Sequence, residues 1–256
     1  MKGYIGFFDI LGYKSFLKNN TDEAVQDEVL DFIKKIENPE ADFYKKLFPD
    51  IEGADAEKLV IEVLSSMKRL VFSDTIVFTL EPGLKSKEFQ VAHYFVVLAV
   101  AQDLMERMFE YGLPLRGALH YGEYKSSGHS MAGRGIVDAY EAGGKLNLAT
   151  CVLTEAMCAR FLEIADYDED AKKVFDSGTC SYSAPLSNGT RDLCRNLKYI
   201  NDKSVGAKDV REYVYRKFWE HGKDLGTASA VEKAEETERY FRYCIALDAK
   251  RGKKGR

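Results

Sequence analysis

FFDILGYKSF, residues 7–16, is the stretch from which the rest of the chain can be read. The apolar run YIGFF at 4–8 ends on Asp9, and the backbone then meets a glycine at Gly12. A short apolar run of this kind predicts a strand over 4–9, followed by a turn. A carboxylate at the end of a buried strand is costly unless something positive or hydrogen-bonding meets it. What faces Asp9 therefore decides what this end of the strand does.

Working outward, DEAVQDEVLDFIKKIE at 22–37 places apolar residues at helical spacing behind a Thr21 or Asp22 cap. Residues 40–56, with Pro49 and Gly53, predict a loop or short helix, and a helix follows near 56–65. In MKRLVFSDTIVFTL, 67–80, two β-rich runs meet at Ser73-Asp74, which predicts strand, tight connection, strand. A long helix over 86–111 should stop at Gly112, with Pro114 preventing its continuation. LPLRGALHYGEYKSSG, 113–128, predicts a second hairpin-like pair of strands. VDAYEAGGKLN predicts a helix interrupted at Gly143-Gly144, CVLT a short strand and EAMCARFLEIA a helix. Hairpins embedded among helices give an α+β fold with a mostly antiparallel sheet. Residues 1–166 form the catalytic domain of this reading. Residues 167–256 form a C-terminal extension packed on it, with a strand at NLKYIND and helices over 208–221 and 228–248, as an accessory layer or a dimer surface.

Composition narrows the function classes. The 256 residues are 45% hydrophobic and carry Lys+Arg 37 against Asp+Glu 41, a net charge of −4. No global basic field exists to draw nucleic acid or a membrane surface, so a polyanion must be captured locally. The most apolar run, AHYFVVLAVA at 92–101, is half a membrane span and reads as a buried helix. No leader is expected at the N-terminus, and five cysteines without close pairing fit reduced thiols in a cytoplasm.

Asp9 and Asp74 are the candidate chemical pair. If the strands they end are neighbours, the carboxylates converge at one sheet edge, where they raise each other's pKa unless a cation lies between them. Two hard oxygen ligands plus substrate phosphates is the usual way to hold Mg²⁺ or Mn²⁺. The turn at 10–13 adds successive backbone N–H groups suited to a phosphate chain. Taken singly, each aspartate reads as a solvated capping residue; it is their order along the chain that changes the reading.

FFDILGYKSF, SDTIVF, LPLRGALHYGEY, GRGIVDAYEAGGKL and CVLT, in that order, resemble the class III nucleotidyl cyclase catalytic domain over roughly residues 4–165, about two thirds of the chain. The resemblance implies a ferredoxin-like class III cyclase fold. It also implies a homodimer with sites between the two copies, and two divalent ions, Mg²⁺ or Mn²⁺, on Asp9, Asp74 and the Ile10 carbonyl. Phe8, Ile10, Leu11, Gly12 and Tyr13 fall in the substrate-binding stretch, with 10–13 matching the triphosphate turn.

Departures from the family pattern sharpen the reading. Where the family carries an Asn and an Arg on a V-N-x-A-x-R helix, VDAYEA offers Asp138 and Ala142. Arg134, Lys145, Arg195 and Lys198 are candidates for the missing cation, and each reads first as a solvated surface charge. Leu70 and Met131 occupy the family's purine-reading positions, and neither side chain can hydrogen-bond a purine edge. The chain thus looks most like the Pycsar pyrimidine cyclases of bacterial antiphage defence, which make cyclic UMP or cyclic CMP from UTP or CTP to switch on an effector. Other readings are an adenylate or guanylate cyclase with base readers elsewhere, and a cyclase-like domain that binds nucleotide without turnover. Among the remaining residues, Arg116 is expected to pair with a carboxylate and His120 to be a satisfied structural histidine. Lys14 follows the turn closely enough to reach a phosphate, while its neighbours Lys18 and Asn19 read as an exposed helix start, and Tyr13 and Tyr44 are candidate stacking partners.

Overall fold

The computed structural model describes residues 1–20, 53–82, 86–128, 130–200, 209–223 and 226–254, with positions 23, 45, 47, 48 and 205. The helix expected over 22–37 lies outside the described residues, as do Tyr44, His129 and most of the 40–56 stretch.

In chain order the elements are β1 (Lys2–Ile10), α1 (Tyr13–Asn19), α2 (Ala54–Ser66), β2 (Lys68–Phe72), β3 (Thr75–Leu80), α3 (Lys87–Glu110), β4 (Leu115–Glu123), β5 (Lys125–Ser127), β6 (Ser130–Ala132) and α4 (Arg134–Gly144). There follow β7 (Cys151–Leu153), α5 (Glu155–Ala165), α6 (Glu169–Gly178), β8 (Thr179–Pro185), β9 (Arg191–Leu197), α7 (Val210–Trp219), a 3₁₀ turn (Glu220–Gly222) and α8 (Ala228–Lys254). Seven strands form one sheet in the order β2-β3-β1-β4-β7-β9-β8. Every pairing in it is antiparallel except β4 with β7. The block β2-β3-β1-β4, with helices crossing between β1 and β2 and between β3 and β4, is the split βαβ arrangement of a ferredoxin-like fold. Among the described residues no helix is long and apolar enough to cross a membrane.

The sheet's two faces are unequal. Tyr4, Phe8 and Ile10 of β1 enter the main core with α2, α3, α5 and the C-terminal helices. Ile5 and Phe7 point the other way, into a small cluster with Val77, Tyr124 and Ala139. The 92–101 run is buried in α3 as its composition demands. The end of that helix is enclosed from the C-terminal side too, Phe109 meeting Phe241 and Tyr213 at ring-centroid distances of 4.8 and 5.6 Å.

Three local expectations are corrected. Residues 113–128 are not a hairpin: β4 is a single nine-residue strand spanning the whole of β1, and the tight pair β5–β6 forms afterwards as a separate two-stranded sheet. Gly143-Gly144 do not interrupt α4 but are its last two residues. A Cβ on Gly143 would lie 2.9 Å from the Gly117 backbone, so glycine here permits the helix to rest directly on β4. In the C-terminal region the strand lies at 191–197 rather than over NLKYIND, and its partner β8 was not anticipated. TCSYSAP is an edge strand whose alternation is present but weakly hydrophobic: Cys180, Tyr182 and Ala184 pack on the core, and Ser181 and Ser183 between them are exposed.

Candidate active site

Strict alternation along β1 places Asp9 on the same face as Ile5 and Phe7, at the strand's C-terminal end. Its neighbours across the sheet are Thr75 on β3 and Arg116 on β4. Arg116 meets it: the guanidinium Nε donates to Asp9 Oδ2 at 2.9 Å. The same guanidinium donates from Nη1 to the carbonyls of Gly144 and Leu146 at 2.9 and 3.2 Å, so the end of α4 fixes its orientation. The pairing expected for Arg116 is thus present, and its partner is the first candidate aspartate.

Asp74 arrives from the β2–β3 connection, a two-residue turn in which Ser73 takes φ 56. Left-handed backbone at a hairpin turn matches the right-handed twist of the flanking strands. The turn is tied to the end of β1 by the Ile10 amide, which donates to the Asp74 carbonyl at 2.9 Å. Burial raises the Asp9 carboxyl above its ordinary value; Arg116 opposes this, and the negative charge of the nearby Asp74 adds to it. Tyr13 is raised by burial and then by the Asp74 charge. Asp9, Asp74 and Tyr13 therefore occupy one neighbourhood, although Asp74 is far from the other two in sequence.

The turn itself is more restricted than its sequence implies. Phe8 is fully buried and packs on Phe78 with centroids 5.8 Å apart, and Ile10 and Leu11 are buried too, so none of these side chains faces a ligand. The amide of Ile10 is held by Asp74 and that of Leu11 by the Pro114 carbonyl at 2.8 Å. The backbone available to an anion thus begins at Gly12, whose φ of 80 lets the chain turn into α1.

Do these residues suit a divalent ion? Among the described residues no group of three or more His, Cys, Asp or Glu side chains is placed to hold a metal. Two adjoining carboxylates at the mouth of a turn nevertheless supply hard oxygen donors, and Mg²⁺ ordinarily keeps several waters or phosphate oxygens in its shell. The donor set fits an ion held by Asp9, Asp74 and the Ile10 carbonyl and completed by substrate. An incoming ion must displace Arg116 from Asp9 or share the carboxylate with it.

Of the four cations weighed from sequence, Arg134, Arg195 and Lys198 are engaged elsewhere. Arg134, 76% exposed, donates to Asp138 at 2.7 Å. Arg195 bonds Thr179 at 2.6 Å and Asp176 at 3.2 Å, Lys198 pairs with Asp248, and Lys145 is exposed. Of the two apolar base-reading positions, Leu70 is half-buried on β2 opposite Val77, and Met131 packs on the small cluster of Ile5 and Phe7. His120 bonds Thr154 Oγ1 at 3.0 Å, as a structural histidine should.

Two lysines of the C-terminal region complete the picture, and no local pattern marked them. A cleft of about 400 Å³ opens beside Gly12 and is lined by Lys14, Ser15 and Lys18 of α1, Lys223 after the 3₁₀ turn, and Thr227, Ser229 and Lys233 at the start of α8. The C-terminal wall is pinned to α1 by Asn19 Nδ2, which donates to the Gly222 carbonyl at 2.7 Å, and by Asn20, which donates to the carbonyl of His221. Burial lowers the Lys223 ammonium to about 7, and burial followed by repulsion from Arg116 lowers Lys233. Lys233 thus lies within the electrostatic reach of the guanidinium that holds Asp9. The sequence signal was only a Lys in HGKDLG and another in a Glu- and Lys-rich helix.

Comparison with protein families finds no match, and neither does comparison with curated proteins. Among solved structures the chain is similar to the adenylyl cyclase CyaB from P. aeruginosa, at 10% identity and a TM-score of 0.40, over 77% of this chain and 92% of that one. It is also similar to the guanylyl cyclase Cya2, at 12% identity and a TM-score of 0.37, over 77% of this chain and 93% of that one. At these values the likeness is distant, and the functional reading rests on the residues.

Proposed function

We propose that the chain is a nucleotidyl cyclase of the class III type. In this reading it acts on a pyrimidine nucleoside triphosphate, UTP ahead of CTP, with Mg²⁺ or Mn²⁺ as cofactor. The observation that carries the reading is the meeting of Asp9 and Asp74 at one sheet edge, beside a turn whose backbone opens at Gly12. In the reaction the ribose 3′-hydroxyl attacks the α-phosphorus, the bond to the β-phosphate breaks, and pyrophosphate leaves with a 3′,5′-cyclic nucleotide as product. The divalent ions would supply charge neutralisation at the α-phosphate and a lowered pKa for the 3′-hydroxyl. Asp9 and Asp74 hold those ions, Gly12 and Tyr13 border the phosphates, and Arg116, released from Asp9, adds a guanidinium beside the same phosphates.

Leu70 and Met131 support a pyrimidine, since both positions are apolar and partly packed away from any base edge. A homodimer is supported by the thin side of the sheet, where Val137 and Tyr140 on α4 are 44% and 57% exposed and Phe72 on β2 is 76% exposed. Such a product suits a second messenger that switches on an effector in antiphage defence in the cytoplasm. A second reading, nucleotide binding without turnover, is favoured by one observation: Asp9 is already neutralised by Arg116, and VDAYEA supplies no arginine at its end.

The test is to incubate the purified protein with ATP, GTP, CTP and UTP and Mn²⁺ and to identify products by mass spectrometry. A cyclic pyrimidine nucleotide, absent with Asp74→Ala, is expected. A purine product overturns the base assignment, and nucleotide binding without product from any of the four selects the second reading.

A further inference from the structure

The cleft beside Gly12 gathers positive charge without an obvious reason to do so. Lys14 and Lys18 stand four residues apart on α1, a spacing at which like charges on a helix repel. Lys223 is buried, its ammonium donating, among the described residues, to the carbonyls of Gly112 and Lys217, and Lys233 donates to Ser229 Oγ at 2.5 Å. Among the described residues no carboxylate lines the cleft; Glu220 and Glu232, which act on Lys223 and Lys233 through their charge, are not part of its lining. Glu220 is itself paired with Lys217 at 2.9 Å. In a chain of net charge −4, four lysines around one cavity with no carboxylate among its described lining residues form a local arrangement, not a consequence of composition.

We propose that this cleft is a polyphosphate site, in which Lys14, Lys18, Lys223 and Lys233 receive the phosphates of the nucleoside triphosphate whose reacting end lies at Asp9 and Asp74. The proposal rests on the nucleotide reading above and extends it: the C-terminal segment, outside the stretch that resembles a cyclase, becomes part of the substrate site. Three observations carry it. Gly12 belongs both to the turn beside the carboxylates and to the cleft wall. The volume, about 400 Å³, is in the small-ligand range. Hydroxyls of Ser15, Thr227 and Ser229 interleave with the ammonium groups, giving neutral donors between the cationic ones. The depressed Lys223 and Lys233 fit the same picture, since a phosphate would favour the charged form that burial disfavours at both.

The test is calorimetric titration of the full chain with inorganic tripolyphosphate in the absence of divalent metal, followed by competition with UTP. The wild-type protein should bind tripolyphosphate. Lys18→Gln and Lys233→Gln, both at partly solvated positions and checked by circular dichroism and thermal unfolding, should each weaken binding roughly tenfold, the loss of one charge-assisted hydrogen bond. Asp74→Ala should leave tripolyphosphate binding intact, and UTP should displace the probe. No tripolyphosphate binding, or equal binding by both folded lysine variants, overturns the site. Simultaneous binding of UTP and tripolyphosphate overturns its assignment to the substrate's phosphates and leaves a separate anion site. The two proposals fail separately. A chain that binds tripolyphosphate competitively with UTP but makes no cyclic nucleotide loses the cyclase reading alone. One that cyclises UTP with an unchanged KM in Lys233→Gln loses the polyphosphate site alone.

Discussion

The acidic edge at Asp9 and Asp74 and the basic cleft at Lys223 and Lys233 lie on either side of Gly12, yet they are built in opposite ways. The acidic edge is assembled from two strand ends, each carrying a local signature: an apolar run stopped by aspartate, and two β-rich runs joined by Ser-Asp. The basic cleft is assembled from a seven-residue helix and a segment some two hundred residues away, held together by Asn19 and Asn20 on the carbonyls of residues 221 and 222. Carboxylates at the edge are partly neutralised within the chain, by Arg116. Among the described residues that line the lysine cleft there is no carboxylate. A half-site that carries its own counter-charge can form without ligand at little cost, whereas one that lacks it is poised for an anion.

The largest test of this contrast is the removal of a carboxylate. Asp74→Ala should lower metal-dependent cyclisation by at least about a thousandfold, the scale of losing a metal-held charge stabiliser. Its thermal unfolding should stay close to wild type, because Asp74 stands in a turn and repels Asp9. Asp9→Ala should lose activity equally and also unfold earlier, by about 1–3 kcal/mol, because Arg116 is left partly buried without its partner. Equal melting of the two variants would show that the Arg116 pair contributes nothing.

Next in size is the packing that holds Arg116 in place. Gly143→Val puts a branched side chain 2.9 Å from the backbone of Gly117 and must lift α4 off β4. A loss of about 2–4 kcal/mol in denaturant unfolding is expected. An unchanged midpoint would mean that α4 has room to move.

The cleft predicts a pH signature. Lys223 is held at about 7, below the ordinary lysine value, so the unfolded chain binds its proton more readily than the folded one. Its contribution is fully present above the unfolded value and is lost as pH falls toward 7. The wild-type unfolding free energy should therefore rise between about pH 7 and 10, with this group adding a slope approaching 1.4 kcal/mol per pH unit. Lys223→Met should flatten that rise, read from denaturant midpoints at several pH values. The smallest effect is expected at Arg134. Its pair with Asp138 is solvent-screened, and Arg134→Ala should melt almost like wild type. A large loss of turnover in that variant would instead identify Arg134 as the cation that VDAYEA lacks.

How much of this was legible beforehand follows the range of the interactions. The β1 strand, the Ser73-Asp74 hairpin, α3 with its stop at Gly112, and α5 were readable because each is fixed by its own apolar period and its own cap or turn residue. The edge strand β8 is hard to read because its core-facing residues, Cys180, Tyr182 and Ala184, are separated by serines and give only a weak apolar period, which pairing with β9 completes. Gly143 was read as a break and is a contact, since glycine marks both and only the neighbouring strand distinguishes them.

The sequence by itself determined that one aspartate ends a β-segment beside a glycine turn and that another sits at the junction of two β-segments, because strand periodicity and turn chemistry act over a few residues; that β1 and β3 are neighbours was decided by the fold. It also settled that the long apolar run is a buried helix and that Arg116 seeks a carboxylate. Only the tertiary structure decided which carboxylate that is, by setting Asp9 opposite Arg116 in the β1–β4 register. Only it decided that Phe8, Ile10 and Leu11 face inward, and that Lys223 and Lys233 stand across a cleft from Lys14 and Lys18. A charge has no periodicity that announces its partner. Its meaning is set by what the folded chain brings within a few ångströms of it.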